Sequence, residues 1–443
     1  MPRLFRSALL LVLVAAAPPL QAQRRGFVRV ADGGLVVDGH PYHFMGMNLW
    51  FGMNLGAGDD ASRGRLVREL DRLRALGVTN LRVMAASEGP DSAPQRVSPA
   101  VQRAPGEYDE RLLRGLDFLV AEMGKRDMRA VLILNNFFQW SGGMAQYVSW
   151  ATGDPIPYPG RDGHGWDEFQ EFSARFYATP AAQALFERYV RTLVHRRNTI
   201  TGVAYADDPT IMSWQLSNEP RGFGHSEQYV AWVERAGAFV KREAPRQLVS
   251  LGGEGKLDRA TPNTRTQFER VSRSPALDYL TVHVWIENWG WFDPARADST
   301  FNQSVGRTLS YLADHVAIAR SVNKPLVVEE FGVSRDGRSY DPAAPVTWRD
   351  RYFQMVLEGI WYLASEGSTT VAGANLWSWS GETRPPRPGE QWRRGDPFTG
   401  DPPHERQGWY SIYAADASTL GIIRTYTRRM SEIGASASRP GSP

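Results

Sequence analysis

The stretch ERLLRGLDFLVAEMGKRDMRAVLILN, residues 110–135, reads as a helix followed by a strand. From Glu110 to Lys125 the residues Leu112, Leu113, Leu116, Leu119, Val120 and Met123 recur three and four apart, which gathers them on one helical face. After Asp127 the pattern changes to a short unbroken apolar run, as in a strand buried on both sides. The same rhythm extends in both directions. Strands are expected at 42–48, 79–84, 129–135, 211–218, 247–252, 278–285, 325–330 and 372–377, with amphipathic segments such as 64–76, 180–197 and 348–365 between them. Alternation of this kind defines the α/β class, and eight strands are the number that closes a (β/α)8 TIM barrel. An open doubly wound sheet fits less well, because no Gly-rich phosphate loop follows the first strand. The segment from Gly252 to Lys256 lacks both the spacing and the Ser/Thr of a P-loop.

No repeat or linker divides the chain, so a single domain over 23–432 is expected, followed by a frayed tail at 433–443 rich in Ser, Ala, Gly and Pro. Two connections, 137–179 and 378–410, are too long for simple turns. They follow strands 3 and 8, which in a barrel puts them over the C-terminal face where active sites are built.

The 443 residues include no cysteine, which excludes a disulfide scaffold, a thiol nucleophile and a thiolate metal site. The formal charge is +3, but the basic residues are mostly Arg scattered among acids, so a nucleic-acid partner is not indicated. Two of those charges, Arg3 and Arg6, precede an apolar run from Ala8 to Ala17 and the triplet Leu20-Gln21-Ala22, the order of a secretory signal peptide. The run is short against the ~20 residues that cross a bilayer. Export with cleavage after Ala22 is therefore expected, to the periplasm or the exterior, with no membrane attachment afterwards. Fifteen Trp are more than a generic core needs, and suit either thick packing or a flat ligand such as a sugar ring.

The chemistry concentrates at strand ends. Ile211 to Leu216 leads into Ser217-Asn218-Glu219-Pro220, and Val327-Val328 into Glu329-Glu330-Phe331-Gly332. In a regular strand Glu329 and Glu330 point to opposite faces, so one of them is expected to look into the barrel. Two carboxyls on different strand ends are the minimum set for cleaving a glycosidic bond, one as acid and the other as nucleophile or base. Alone, each acid is as well explained by a cap or an ion pair. Arg82 closes another apolar strand and is placed to hold a carboxylate ionised. His283 and Trp285, two apart, share a strand face, and Trp377 closes the last strand. No His-x-x-x-His pair occurs, so no metal or other cofactor is expected.

These motifs together resemble glycoside hydrolase family 5, and within it the endo-β-1,4-mannanases. Asn218-Glu219-Pro220 is similar to the acid/base motif, and Glu330 before Phe331-Gly332 is similar to the nucleophile position, which leaves Glu329 as the outward neighbour. Asn135-Asn136 with Gly142-Gly143, Ala145 to Val148 and Trp150 resembles the third-strand loop of plant-type mannanases, and Asp208 to Ile211 leading into Arg221 resembles their fourth strand. The resemblance implies a retaining endo-mannanase acting on β-mannan-type polysaccharides as a monomer. Glu219 is the implied proton donor and Glu330 the nucleophile. The implied substrate-binding set is Arg82, Asn136, Asn218, Arg221, His283, Trp285, Trp377 and Trp140, with either Trp50 or Phe51 facing the glycan. Many relatives carry Tyr where Trp285 stands, and an indole N–H donates but cannot accept, while His-x-Trp followed by Asn288-Trp289-Gly290-Trp291 resembles other members. A β-1,4-glucanase or a transglycosylase keeps the same residues, and a glycan-binding protein without activity is the reading from another class.

Overall fold

The computed structural model describes residues 26–256, 264–366 and 370–436, so the expected leader lies outside the described residues. All eight expected strands are present near their expected bounds. They are β1 (Phe44–Asn48), β2 (Asn80–Met84), β3 (Arg129–Ile133), β4 (Ile211–Gln215), β5 (Leu248–Ser250), β6 (Leu280–Val284), β7 (Leu326–Phe331) and β8 (Val371–Leu376). They pair in parallel in the spatial order 5-4-3-2-1-8-7-6, which is chain order around a ring. No ladder joins β5 to β6 among the described residues. That gap is bridged by single backbone hydrogen bonds, Asp278 N–H to Val249 O at 2.8 Å and His283 N–H to Glu254 O at 3.0 Å. The fold is a (β/α)8 TIM barrel.

Every residue of the eight strands is buried, as expected when helices cover the outer face and side chains fill the inner one. Two of the helices start where an Asp side chain satisfies a free N–H group. Asp59 caps Asp60–Ala75 by accepting from Ser62 N, and Asp109 caps Glu110–Lys125 by accepting from Arg111 N. Pro180 opens Pro180–Val194, where its missing N–H costs nothing.

Three features depart from expectation. The 137–179 connection is largely helical, with Gly143–Thr152 and Trp166–Ala174 inside it. The C-terminal helix, Ala417–Ser436, runs through the expected tail boundary at 433, because it packs against β1 and the helix Thr347–Ser365. The rest of that tail lies outside the described residues. Finally, Arg29–Ala31, Gly34–Val37 and His40–Pro41 form a small antiparallel sheet. Its turns, Asp32-Gly33 and Asp38-Gly39, have positive φ at both positions, as two-residue hairpin turns require. Val28, Leu35, Val37 and Tyr42 from this segment pack on Phe44, Val131, Met212, Leu248, Tyr279, Val327 and Ala372 and plug the N-terminal mouth of the barrel.

Candidate active site

At the opposite mouth, the ends of the strands converge on one guanidinium. Arg82, at the centre of β2, is buried and donates from Nε to Gln215 Oε1 (2.8 Å), from Nη2 to Asn218 Oδ1 (2.8 Å), and from Nη1 to Asn48 Oδ1 (3.2 Å) and Glu330 Oε1. A planar cation with five fixed donors is suited to tying four strand ends together. Asn218 is held in turn by Asn136, whose Oδ1 accepts from Asn218 Nδ2 at 3.2 Å.

Glu219 follows Asn218 in the left-handed region, with φ +48. That conformation is strained for a non-glycine residue, and such strain concentrates at functional sites. Its Oε1 accepts from His283 Nδ1 at 2.7 Å and from the Trp285 indole N–H at 3.3 Å. His283 Nδ1 also lies 3.3 Å from Glu330 Oε2. Glu219, His283 and Glu330 each present an atom within 4.8 Å of the others. That spacing is within reach of a cation, but Arg82 and His283 already supply positive charge there.

Burial and neighbouring charge oppose each other at this cluster. Burial acts to lower His283, yet the charge of Glu330, the hydrogen bond and charge of Glu219 and the Glu329 carboxylate beside Nε2 outweigh it and hold the ring up to about 10. Burial raises Glu330 to about 7, with Glu219 adding to it and His283 and Arg82 resisting. Burial also pushes Glu219 upward, but the His283 hydrogen bond and the charges of His283, Arg221 and Arg82 bring it below the ordinary carboxyl range. Two carboxyls this close titrate as a pair rather than singly.

A cavity of about 1000 Å³ opens above the pair, with Asn218, Glu219, Glu330, Trp285, Trp377 and Arg221 on its wall. Trp285 and Trp377 meet edge to face at 5.8 Å. Arg221 donates to both oxygens of Glu254 (2.7 and 2.8 Å) and to Gln170 (2.6 Å), and lies over the Phe138 ring. Trp140, Trp289 and Trp291, from the loops after β3 and β6, also line the cavity, whereas Trp214 stays in the core with its N–H on Gln247.

Several expected wall residues lie behind the wall instead. Trp50 donates its N–H to Gly400 O at 2.8 Å and packs edge-on against Trp140 and Phe398, while Phe51 stacks on Phe398. Neither Trp50 nor Phe51 lines the cavity. Asn136, Arg82 and His283 are likewise buried and off the wall; Arg82 and His283 hydrogen-bond the carboxyls, and Arg82 and Asn136 hold Asn218. Glu329 does not face outward but lies inside the barrel, fully buried beneath Glu330, because β7 gains a residue against β6 at that point.

Other wall residues escaped the sequence reading. His404 and Glu405 come from the connection after β8, Trp166 from the helix after β3, and Glu254 and Lys256 from the loop after β5. His404 stacks on Trp140 at 6.3 Å and meets Trp166 edge-on at 6.4 Å, so the two long connections touch across one end of the cavity. Burial lowers His404 to about 4, leaving it neutral, and burial with the charges of Asp401, Glu330 and Glu219 raises Glu405 well above the ordinary carboxyl range. Among the described residues His404 Nδ1, Glu405 Oε2 and Trp377 Nε1 are buried without a hydrogen-bond partner.

A barrel whose strand ends bring two carboxyls together under an aromatic-lined cavity has the architecture of a glycoside hydrolase. Residues 25–435 match the family model described as GH family 5 beta-mannosidase-like, and the chain belongs to that family. It is 31% identical to mannan endo-1,4-beta-mannosidase 1 of Oryza sativa subsp. japonica, covering 91% of this chain and 86% of that one. Among solved structures it is similar to a glycoside hydrolase family 5 mannosidase from Rhizomucor miehei, at 40% identity and TM-score 0.84, covering 93% of this chain and 99% of that one. A variant of that enzyme in complex with mannosyl-fructose is 39% identical, with the same TM-score and coverage.

Proposed function

We propose that the protein is a retaining endo-β-1,4-mannanase, with Glu330 as nucleophile and Glu219 as acid/base. The observation that carries the mechanism is the separation of the carboxyls, which have oxygens within 4.8 Å of each other. Retaining enzymes hold them ~5–5.5 Å apart, while inverting ones leave ~6.5–9.5 Å for a water. In the first step a Glu330 oxygen bonds to the anomeric carbon, the glycosidic C–O bond breaks, and Glu219 passes its proton to the departing oxygen. In the second step Glu219 takes a proton from water, whose oxygen displaces Glu330. The pair keeps one proton up to about pH 7, and this is the occupancy the first step needs. Without substrate that proton favours Glu330, because Glu219 is held below the ordinary carboxyl range; Arg82, donating directly to Glu330, favours the anion there and so assists the shift of the proton to Glu219 that the first step needs. When the Glu330 charge is consumed in the ester, Glu219 loses its repulsive neighbour and turns into a base.

The substrate class is supported by the mannan endo-1,4-beta-mannosidase relatives and by the mannosyl-fructose complex of the Rhizomucor enzyme. Trp377 and Trp285 supply the apolar face for a sugar ring, and Asn218, His404 and Glu405 are polar residues on the same wall for its hydroxyls. Parallel hydrolysis of galactomannan, glucomannan and carboxymethyl cellulose tests this; cleavage of the cellulose alone overturns it. Proton NMR of fresh product should show the β-anomer first.

A second reading, removal of single sugars from chain ends, is favoured by the contact of His404 with Trp140 and Trp166, which roofs one end of the cavity. The 40%-identical neighbour is described as a mannosidase. A fast fall in mannan viscosity marks internal cleavage, whereas mannose release at constant viscosity marks the second reading. We further infer export through the leader at 1–22 and action as a monomer, since one chain supplies both carboxyls and the cavity wall. N-terminal sequencing of secreted protein and light scattering check these.

A further inference from the structure

Strand β7 ends in two successive acids, and both reach the same interior. Val328 lies opposite Val282 of β6, but the next pairing is Glu330 with His283, so Glu329 is an inserted residue, a β-bulge. Its carboxylate is fully buried and off the cavity wall. Oε2 accepts from Gln215 Nε2 at 2.7 Å and stands 3.5 Å from Arg82 Nε and 3.9 Å from His283 Nε2. Among the described residues Glu329 Oε1 and His283 Nε2 have no hydrogen-bond partner.

A buried carboxylate with an unpaired oxygen is costly, and an amide would accept the Gln215 bond equally well. What only the carboxylate supplies is charge. His283 has a carboxylate on each side, with Nδ1 toward Glu219 and Glu330 and Nε2 toward Glu329, and both nitrogens carry hydrogen only in the imidazolium. The charged groups facing the ring are then Arg82 from β2, Glu219 from the end of β4, Glu254 from the end of β5, whose backbone O accepts from His283 N, and Glu329 and Glu330 from β7. Glu254 is matched by Arg221. The two cations Arg82 and His283 therefore balance three carboxyls only when one proton stays among them.

We propose that Glu329 is a positioning residue whose charge holds His283 as imidazolium and thereby leaves a single proton on the Glu219–Glu330 pair. This rests on the roles proposed above for that pair. With Glu329 uncharged, two cations face two carboxyls, and either His283 or the pair must give up its proton. In both cases proton occupancy at the site falls, although no substrate contact is touched. The elevation of His283 to about 10, with Glu329 among its causes, agrees with this arrangement.

The test is Glu329→Gln, read by 15N NMR of histidine-labelled protein, with the ring signals assigned through His283→Asn. The wild-type ring should show two protonated nitrogens through pH 8. In Glu329→Gln either the ring or the alkaline fall of kcat/KM should shift by about one pH unit to lower pH. A drop in kcat on the order of ten-fold or more, with KM nearly unchanged, should accompany it. Glu329→Asp, which keeps the charge, should recover most of the loss. Ring titration and pH profile both unmoved in Glu329→Gln would overturn the proposal. If that variant fails to fold, a neutral ring at pH 7 in the wild-type protein overturns it as well. These readouts are independent of whether Glu219 and Glu330 prove catalytic, which their own variants decide.

Discussion

The same eight strands end in two different environments. At their N-terminal ends, Phe44, Met212, Tyr279 and Val327 meet the hairpin residues Val28, Leu35 and Val37, and the mouth is closed with apolar side chains. At their C-terminal ends, Arg82, Glu219, His283, Glu329 and Glu330 are buried too but ionisable, beside unpaired polar atoms and a strained Glu219. Burial at the first end contributes stability, since removing apolar surface from water is favourable. At the second end it costs stability and provides tuned proton affinities instead. Depth alone does not identify what a residue does; the partner it finds there does.

Substitutions at the two ends should separate these roles. The largest effect is expected from Glu330→Ala, with kcat on mannan lowered by roughly 10³-fold or more and the melting temperature not reduced. Equal losses in both would mean that the charged end is structural after all. At the plugged end, Phe44→Ala should cost about 3–5 kcal/mol in denaturant unfolding while kcat of the folded fraction stays at the wild-type value. A smaller change is expected from the proton on the pair. Activity that needs a protonated carboxyl is present at low pH and lost as pH rises through about 7, so kcat/KM should fall on that side, and Glu219→Gln should abolish the limb along with most turnover. The smallest effect belongs to the rim. Trp166 is 46% exposed, and Trp166→Ala should raise KM for polymeric mannan by about two- to ten-fold, the worth of one aromatic contact, leaving kcat unchanged.

Much of this was legible in the sequence. The strands are short apolar runs between amphipathic helices, and both acids sit where such runs stop, so the barrel and the Glu219–Glu330 pair follow from periodicity and position. The Asp-Gly pairs at 32–33 and 38–39 also spell two hairpins, a signal outside the eight-strand pattern. Trp50 and Phe51 were not separable, because the group that takes the Trp50 N–H is Gly400, some 350 residues away. Glu329 defeated the alternation rule because a bulge is a property of the register between β6 and β7, which one strand's sequence does not contain. His404 and Glu405 lie in an irregular connection with no periodicity to read. The helices Gly143–Thr152 and Trp166–Ala174 were masked by the Gly- and aromatic-rich composition around them.

The interruption between β5 and β6 gives the ring of strands a seam. Among the described residues β5 has only three residues and one laddered neighbour, while β3 has five and is laddered on both sides. Deuterium from solvent should therefore reach the amides of Leu248–Ser250 well before those of Arg129–Ile133, since local opening follows the weakest hydrogen-bonded segment. Parting at the seam would widen the cavity beside Glu254 and Arg221, yet leave intact the grip of Arg82 on β1, β4 and β7. The barrel can thus yield on one flank without loosening the carboxyls it holds.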